Sequence, residues 1–120
     1  MKNKMKLSSL LLVALALVVI AGNSEAGRLT GKVEGYLPYS SGTKEILIFK
    51  ITNNDSLITG CNATGRFAID DSSTRYKTTV AAVISSYHAK TPLTVDFSYT
   101  CNMWVNSFDV NYLCVGDINC

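Results

Sequence analysis

The spacing of apolar residues changes twice along this chain, and that change limits the architecture more than any other feature. From 28 to 70 apolar residues alternate with polar ones or gather in short dense runs. Between 76 and 87 they fall at Tyr76, Val80, Val83, Ile84 and Tyr87, and after Pro92 alternation returns. Alternation marks a strand with one covered face, and a step of three or four marks a helix with one covered stripe. One helix is therefore expected among strands.

Residues 28–36 carry Leu29, Val33 and Tyr36 among polar neighbours, a first strand in which Gly31 and Gly35 predict a bulge or bend. Residues 38–43, with Pro38, Ser40, Ser41 and Gly42, read as a turn. Residues 45–52 are denser in Ile, Leu and Phe and predict a central strand, closed by Asn53, Asn54 and Asp55. After a loop through Gly60, Cys61 and Gly65, residues 66–70 form a short third strand with Phe67 and Ile69 on one face. Asp71, Ser72 and Ser73 are N-cap candidates for the helix, and Pro92 should stop it near Lys90 by disfavouring helical geometry at Thr91. Leu93, Val95 and Phe97 share one face of a fourth strand. Residues 102–107 connect it to a fifth at 108–115, where Phe108, Val110 and Tyr112 face one way.

The order strand-strand-strand-helix-strand-strand predicts a mainly β domain with one α-helix. It favours a five-stranded OB-fold-like barrel whose helix, between the third and fourth strands, plugs one end. A helix on one face of an open antiparallel sheet is the alternative. No internal repeat or low-complexity segment argues for a second domain.

The first 26 residues have the build of a secretory signal. Lys2, Lys4 and Lys6 precede an apolar stretch at 7–21, and Ser24 and Ala26 are small residues at the positions a signal peptidase inspects. Cleavage is expected between Ala26 and Gly27, leaving 27–120 as a single secreted or periplasmic domain. A transmembrane anchor is not expected, because the clean apolar run at 10–21 is shorter than the roughly 20 residues a span needs. Three of the 11 basic and one of the 9 acidic residues lie within 1–26, leaving eight of each. A near-neutral chain of this kind has no field to steer it onto nucleic acid.

All four cysteines, Cys61, Cys101, Cys114 and Cys120, lie in the exported part, and an even count in a small exported domain reads as two disulfides. Three pairings are open. Cys61 with Cys101, across a long loop, and Cys114 with Cys120, closing a short one, are favoured. No paired C-x-x-C spacing and a single histidine argue against a metal site, and no cofactor is expected.

Catalysis is poorly supplied, so no catalytic residue is assigned and the chain is not expected to be an enzyme. His88 is the one histidine, near the helix end, and no G-x-S-x-G elbow or glycine-rich phosphate loop is present. Asp70 and Asp71 are adjacent and read as caps rather than an acid–base pair. Binding is better supplied. Asn102, Trp104 and Asn106 put the one tryptophan between two amides in a loop, the pairing of stacking face and hydrogen-bonding groups that suits a sugar. The competing reading packs Trp104 over one end of the barrel, and Tyr36 and Tyr39 are equally open between site and packing. Asn54-Asp55-Ser56 and Asn62-Ala63-Thr64 match the N-glycosylation pattern.

The run GRFAIDDSSTRYKTTVAAVISSYHAKTPLTVDF, with Cys61 ahead of its first strand and Cys101 after its last, resembles the binding subunits of the subtilase cytotoxin and typhoid toxin type. The resemblance implies an OB-fold B subunit that assembles as a homopentamer, binds host cell-surface glycans, sialylated or other, and carries a toxic A subunit. The chain also resembles small exported bacterial proteins that share this fold without a toxin partner. They imply the alternative of a monomeric, non-enzymatic protein, structural or inhibitor-type, that binds a protein partner.

Overall fold

The computed structural model describes residues 26–120, so the expected signal peptide, apart from Ala26, lies outside the described residues. Five strands, β1 (Ala26–Ser41), β2 (Lys44–Ile51), β3 (Arg66–Asp70), β4 (Pro92–Ser98) and β5 (Ser107–Val115), follow one another with the helix α1 (Tyr76–Ala89) between β3 and β4. The sheet closes on itself in the order β1-β2-β3-β5-β4, which excludes the open sheet. The β3–β5 pairing is parallel and the others are antiparallel.

Closure depends on β1, whose 16 residues serve two neighbours. Its first half pairs with β4, from Ala26 opposite Ser98 to Lys32 opposite Pro92, and its second half with β2, from Val33 opposite Ile51 to Ser41 opposite Lys44. The register shifts between Val33 and Gly35, leaving Glu34 as a bulge. Gly31 is required just before it. A Cβ there would lie 2.6 Å from the Thr52 carbonyl oxygen. Thr52 clasps the strand at this point, its N–H donating to the Lys32 carbonyl (2.9 Å) and its hydroxyl accepting from the Lys32 N–H (3.0 Å). Beyond the bulge β1 runs through the expected turn as far as Ser41, and the chain reverses at Gly42 with φ +62. Pro38 is tolerated because this half of β1 is paired on one side only.

Inside the ring, Leu47, Phe49 and Ile51 of β2 meet Phe67 and Ile69 of β3, Leu93, Val95 and Phe97 of β4, and Phe108 and Val110 of β5. Phe67 lies 5.4 Å from Phe49 and 5.1 Å from Phe97 between ring centroids, and Phe97 stacks on Phe108 at 5.6 Å. Each such buried ring contributes about 1.5–3 kcal/mol over an exposed one. The opposite faces of β2 and β3 are also covered. Ile46, Ile48 and Ala68 form a second, smaller cluster under Met103 and Trp104.

Both favoured disulfides form, Cys61–Cys101 with Cα atoms 6.2 Å apart and Cys114–Cys120 at 6.1 Å. Three local expectations are corrected. The helix buries Thr79, Val83 and Ser86, whereas Tyr76, Val80 and Ile84 are half-buried and Tyr87 is exposed. The covered seam is thus turned about one residue from the apolar stripe, with Val83 common to both and Tyr76 and Val80 still packed against the core. Asp71, Ser72 and Ser73 build the approach to the helix instead of capping it. Arg75 is the N-cap and has no side-chain bond, while the Ser73 hydroxyl accepts from the Arg75 N–H (3.1 Å) and Asp71 accepts from the Glu45 N–H (3.2 Å). The helix end falls where Pro92 predicts, at a left-handed Lys90. In β5, a register shift opposite Asp96 and Phe97 moves Tyr112 off the Phe108–Val110 face and turns Leu113 toward the core. The extra residue is Asn111, whose amide donates to Asp96 (3.0 Å) and accepts from the Ser98 hydroxyl (3.2 Å).

Candidate functional site

Two concave surfaces carry exposed rings. The first lies where residues 99–106, between β4 and β5, fold over the outer face of β2 and β3. Asp109 organises this connection. Its buried carboxylate accepts from the Asn102 N–H (2.9 and 3.0 Å), the Met103 N–H (2.8 Å) and the Thr100 hydroxyl. The Asp109 N–H in turn donates to the Thr100 carbonyl (2.9 Å). Cys101 ties the loop to Cys61, and its far end is clasped by Arg66, which donates to the Asn106 side-chain oxygen (3.0 Å) and to the Thr64 hydroxyl (3.0 Å). The Thr64 hydroxyl donates to the Asn106 carbonyl (2.6 Å), which holds Asn106 at φ +60.

Within this frame Met103 turns inward, its sulfur accepting from the Asp70 N–H (3.3 Å), and Trp104 lies half-buried on Ile46, Ile48 and Ala68. The Trp104 ring meets the exposed Tyr39 ring edge-on at 5.0 Å. Beside them is a depression of about 270 Å³ bordered by Ser41, Lys44, Asn102 and Val105. Lys44 is paired with Asp70 at 3.2 Å. Burial works against ionisation of Asp70, but bonds from Ser72 and Lys44 outweigh it and hold the carboxyl below the usual aspartate range.

Of the three residues expected to hold a ligand, Asn102 is exposed at the depression and Trp104 lines it half-buried. Asn106 lies at the base of the loop with its side-chain oxygen engaged by Arg66. The expected packing role of Trp104 is present as well, against the outer face of β2 and β3 rather than over a barrel end. Both glycosylation patterns build turns. The side chain of Asn62 is enclosed, donating to the Arg66 carbonyl (3.0 Å) and accepting from the Arg66 N–H (3.2 Å), and Asn54 donates to the Gly65 carbonyl (3.3 Å).

The second surface is a cleft of about 400 Å³ where the β1 bulge meets the end of α1, bordered by Lys32, Val33 and Glu34 on one side and Tyr87, His88 and Lys90 on the other. The Tyr36 hydroxyl and His88 Nε2 lie 3.4 Å apart, and Tyr87 meets both Tyr36 (5.4 Å) and His88 (5.2 Å) edge-on. Glu34 and Tyr87 were not legible as site residues. The signals for them were the glycines flanking a bulge and the proline that ends the helix. Among the described residues no three or more His, Cys, Asp or Glu side chains gather as metal ligands do.

Comparison of the chain with family models, curated proteins and solved structures finds no match.

Proposed function

We propose that this chain is an exported, non-enzymatic binding subunit, an OB-type barrel that takes a cell-surface glycan at the Tyr39–Trp104 surface. The barrel reading is supported by strand order β1-β2-β3-β5-β4, a parallel β3–β5 pair and a helix between β3 and β4. The observation that carries the ligand reading is convergence. Barrels of this type bind oligosaccharides on the face of their second and third strands, between the loops joining strands one to two and four to five. Here Ser41 and Lys44 flank the first of those loops, Asn102 and Trp104 belong to the second, and they border one depression over β2 and β3. Aromatic faces, an amide, a hydroxyl and an amine are the groups a sugar needs. Two disulfides are consistent with an oxidising, extracellular or periplasmic setting.

As a toxin-type B subunit the chain assembles as a homopentamer and carries an enzymatic partner. Light scattering on a sizing column tests the ring: five chains support it, and a monomer removes it and favours the stand-alone exported protein. The ligand is tested by a glycan array with the oxidised protein. Trp104→Ala is expected to weaken binding by about fivefold to a hundredfold, since loss of one stacked ring removes roughly 1–3 kcal/mol. No bound glycan on the array overturns the ligand class. A second reading keeps the sugar but seats it in the Tyr36–Tyr87–His88 cleft. It is favoured by the larger volume there and the exposure of Tyr87. Binding that survives Trp104→Ala and is lost in Tyr87→Ala selects it.

A further inference from the structure

We infer that Asp109 is the positioning residue of the Trp104 surface: its carboxylate sets the conformation in which Asn102 and Trp104 are presented to a ligand. Asp109 lies on β5 opposite Ala68 of β3, at the last parallel rung, and is 6% exposed. Phe108 and Val110 on either side point into the core, so the carboxylate stands on the outer face, under the loop. Everything that reaches it there is a donor: the Thr100 hydroxyl and the N–H groups of Asn102 and Met103. A carboxylate accepts only, and bonds between N–H groups and a charged acceptor are about twice as strong as neutral ones. Two consecutive N–H groups directed at one anion define the path of residues 102–103, and Trp104 follows immediately.

The other restraints leave this role open. Cys61–Cys101 fixes where the loop starts, and Arg66 with Thr64 fixes where it ends at Asn106. Between those anchors, besides the packing of Met103 on the core, the polar contacts of residues 102–103 are those to Asp109 and the Asp70 N–H to Met103 sulfur contact, and a thioether is a weak acceptor. Both N–H groups reach the same carboxylate oxygen, at 2.9 and 2.8 Å, so asparagine could still serve them, whereas leucine at 109 keeps a side chain of similar shape but offers no acceptor and leaves both unpaired. The side chains at the depression would then be intact and their arrangement lost.

The inference rests on the glycan reading only for its ligand arm, because Trp104 is the one tryptophan and reports loop order directly. In Asp109→Leu, acrylamide quenching of Trp104 fluorescence should rise. Amide hydrogen exchange at Asn102 and Met103 should accelerate by about tenfold or more, the loss expected for bonds to a charged group. The control is Asp96→Asn, which breaks another buried carboxylate network on β4. It should lower the thermal midpoint and leave Trp104 quenching unchanged, separating positioning from general loss of stability. On a glycan the wild type binds, Asp109→Leu should weaken affinity by about tenfold or more although every side chain at the depression is retained.

A folded Asp109→Leu protein with wild-type quenching and wild-type protection at Asn102 and Met103 overturns the inference. If that variant does not fold, Asp109→Ala, which also removes the acceptor of both N–H groups, decides it: a rise in quenching supports the role and no change overturns it. Absence of any glycan ligand for the wild type would remove the proposed function, while the fluorescence and exchange readouts would still decide the role of Asp109.

Discussion

The two ring-bearing surfaces differ in how they are held. The Trp104 loop is fixed at its start by a disulfide, in its middle by a buried carboxylate and at its end by an arginine clasp. The cleft at the helix end is shaped by backbone devices, a bulge at Glu34 and a left-handed Lys90, and its facing sides touch through rings and one long contact at 3.4 Å. Presenting a ring from a loop that is already ordered avoids the entropy of fixing it on binding. Fewer restraints cross the cleft, so the anchors are concentrated in the loop.

The largest effect should come from the covalent restraint. Cys61–Cys101 closes a separation of 40 residues and Cys114–Cys120 one of 6. The loop-entropy relation assigns them about 4 and about 2 kcal/mol respectively. Replacing Cys61 and Cys101 by serine should lower the unfolding free energy by about that larger amount and redshift Trp104 emission. Replacing the C-terminal pair should cost about half as much and leave Trp104 emission in place. Denaturant titrations followed by circular dichroism and fluorescence measure both. Equal redshifts in the two variants would break the contrast between regions.

Acid should act next, and through the loop end. Asp70, beneath Met103, and Asp96, on β4, both have carboxyls held below the usual range. Burial opposes this in each case and is outweighed by Ser72 and Lys44 at Asp70, and by Asn111, Arg28 and Tyr112 at Asp96. A carboxyl that binds its proton less readily folded than unfolded contributes stability that is fully present above the unfolded value, about 3.9 for aspartate. That contribution is lost as pH falls through the lower native value. Stability should therefore be flat from neutrality to about pH 5 on this account and decline below about pH 4. Asp70→Asn should remove part of the decline, read as thermal midpoints across pH. An unchanged acid limb would show that the Lys44 pair contributes nothing to this end of the molecule.

Much of this architecture was legible because it is written in short-range spacing. The five strands, the helix between the third and fourth, the stop before Pro92 and the count of two disulfides follow from apolar period, turn residues and cysteine number, and the structure takes the favoured one of the three open pairings. What was hidden depends on partners distant in the chain. Asn111 bulges out of β5 because Asp96 on β4 takes its amide, so Tyr112 leaves the face that strict alternation assigns to it. The helix seam runs through Thr79, Val83 and Ser86, set by where the strands lie against it rather than by the apolar stripe alone. At the site, a tryptophan between two asparagines was visible. Asp109, between Phe108 and Val110, looks like any outward polar residue of a strand until the loop is folded over it.

The smallest change tests the looser surface. Tyr36→Phe removes only the hydroxyl facing His88 Nε2, and a contact of 3.4 Å at an exposed position is at the weak end of hydrogen bonding. The Tyr36 ring, with its edge contact to Tyr87, is retained. Stability should therefore move by no more than about 0.5 kcal/mol, the usual range for surface substitutions, and Trp104 emission should not move at all. A loss above about 1 kcal/mol would mean that the cleft is pinned as firmly as the loop, since that is the net worth of a well-made hydrogen bond. Glycan affinity gives the same variant a second use. A sugar seated at Tyr39 and Trp104 is indifferent to the Tyr36 hydroxyl, whereas one seated beside His88 loses a hydrogen-bonding group, so affinity that falls in Tyr36→Phe with stability unchanged moves the ligand from the anchored loop to the cleft.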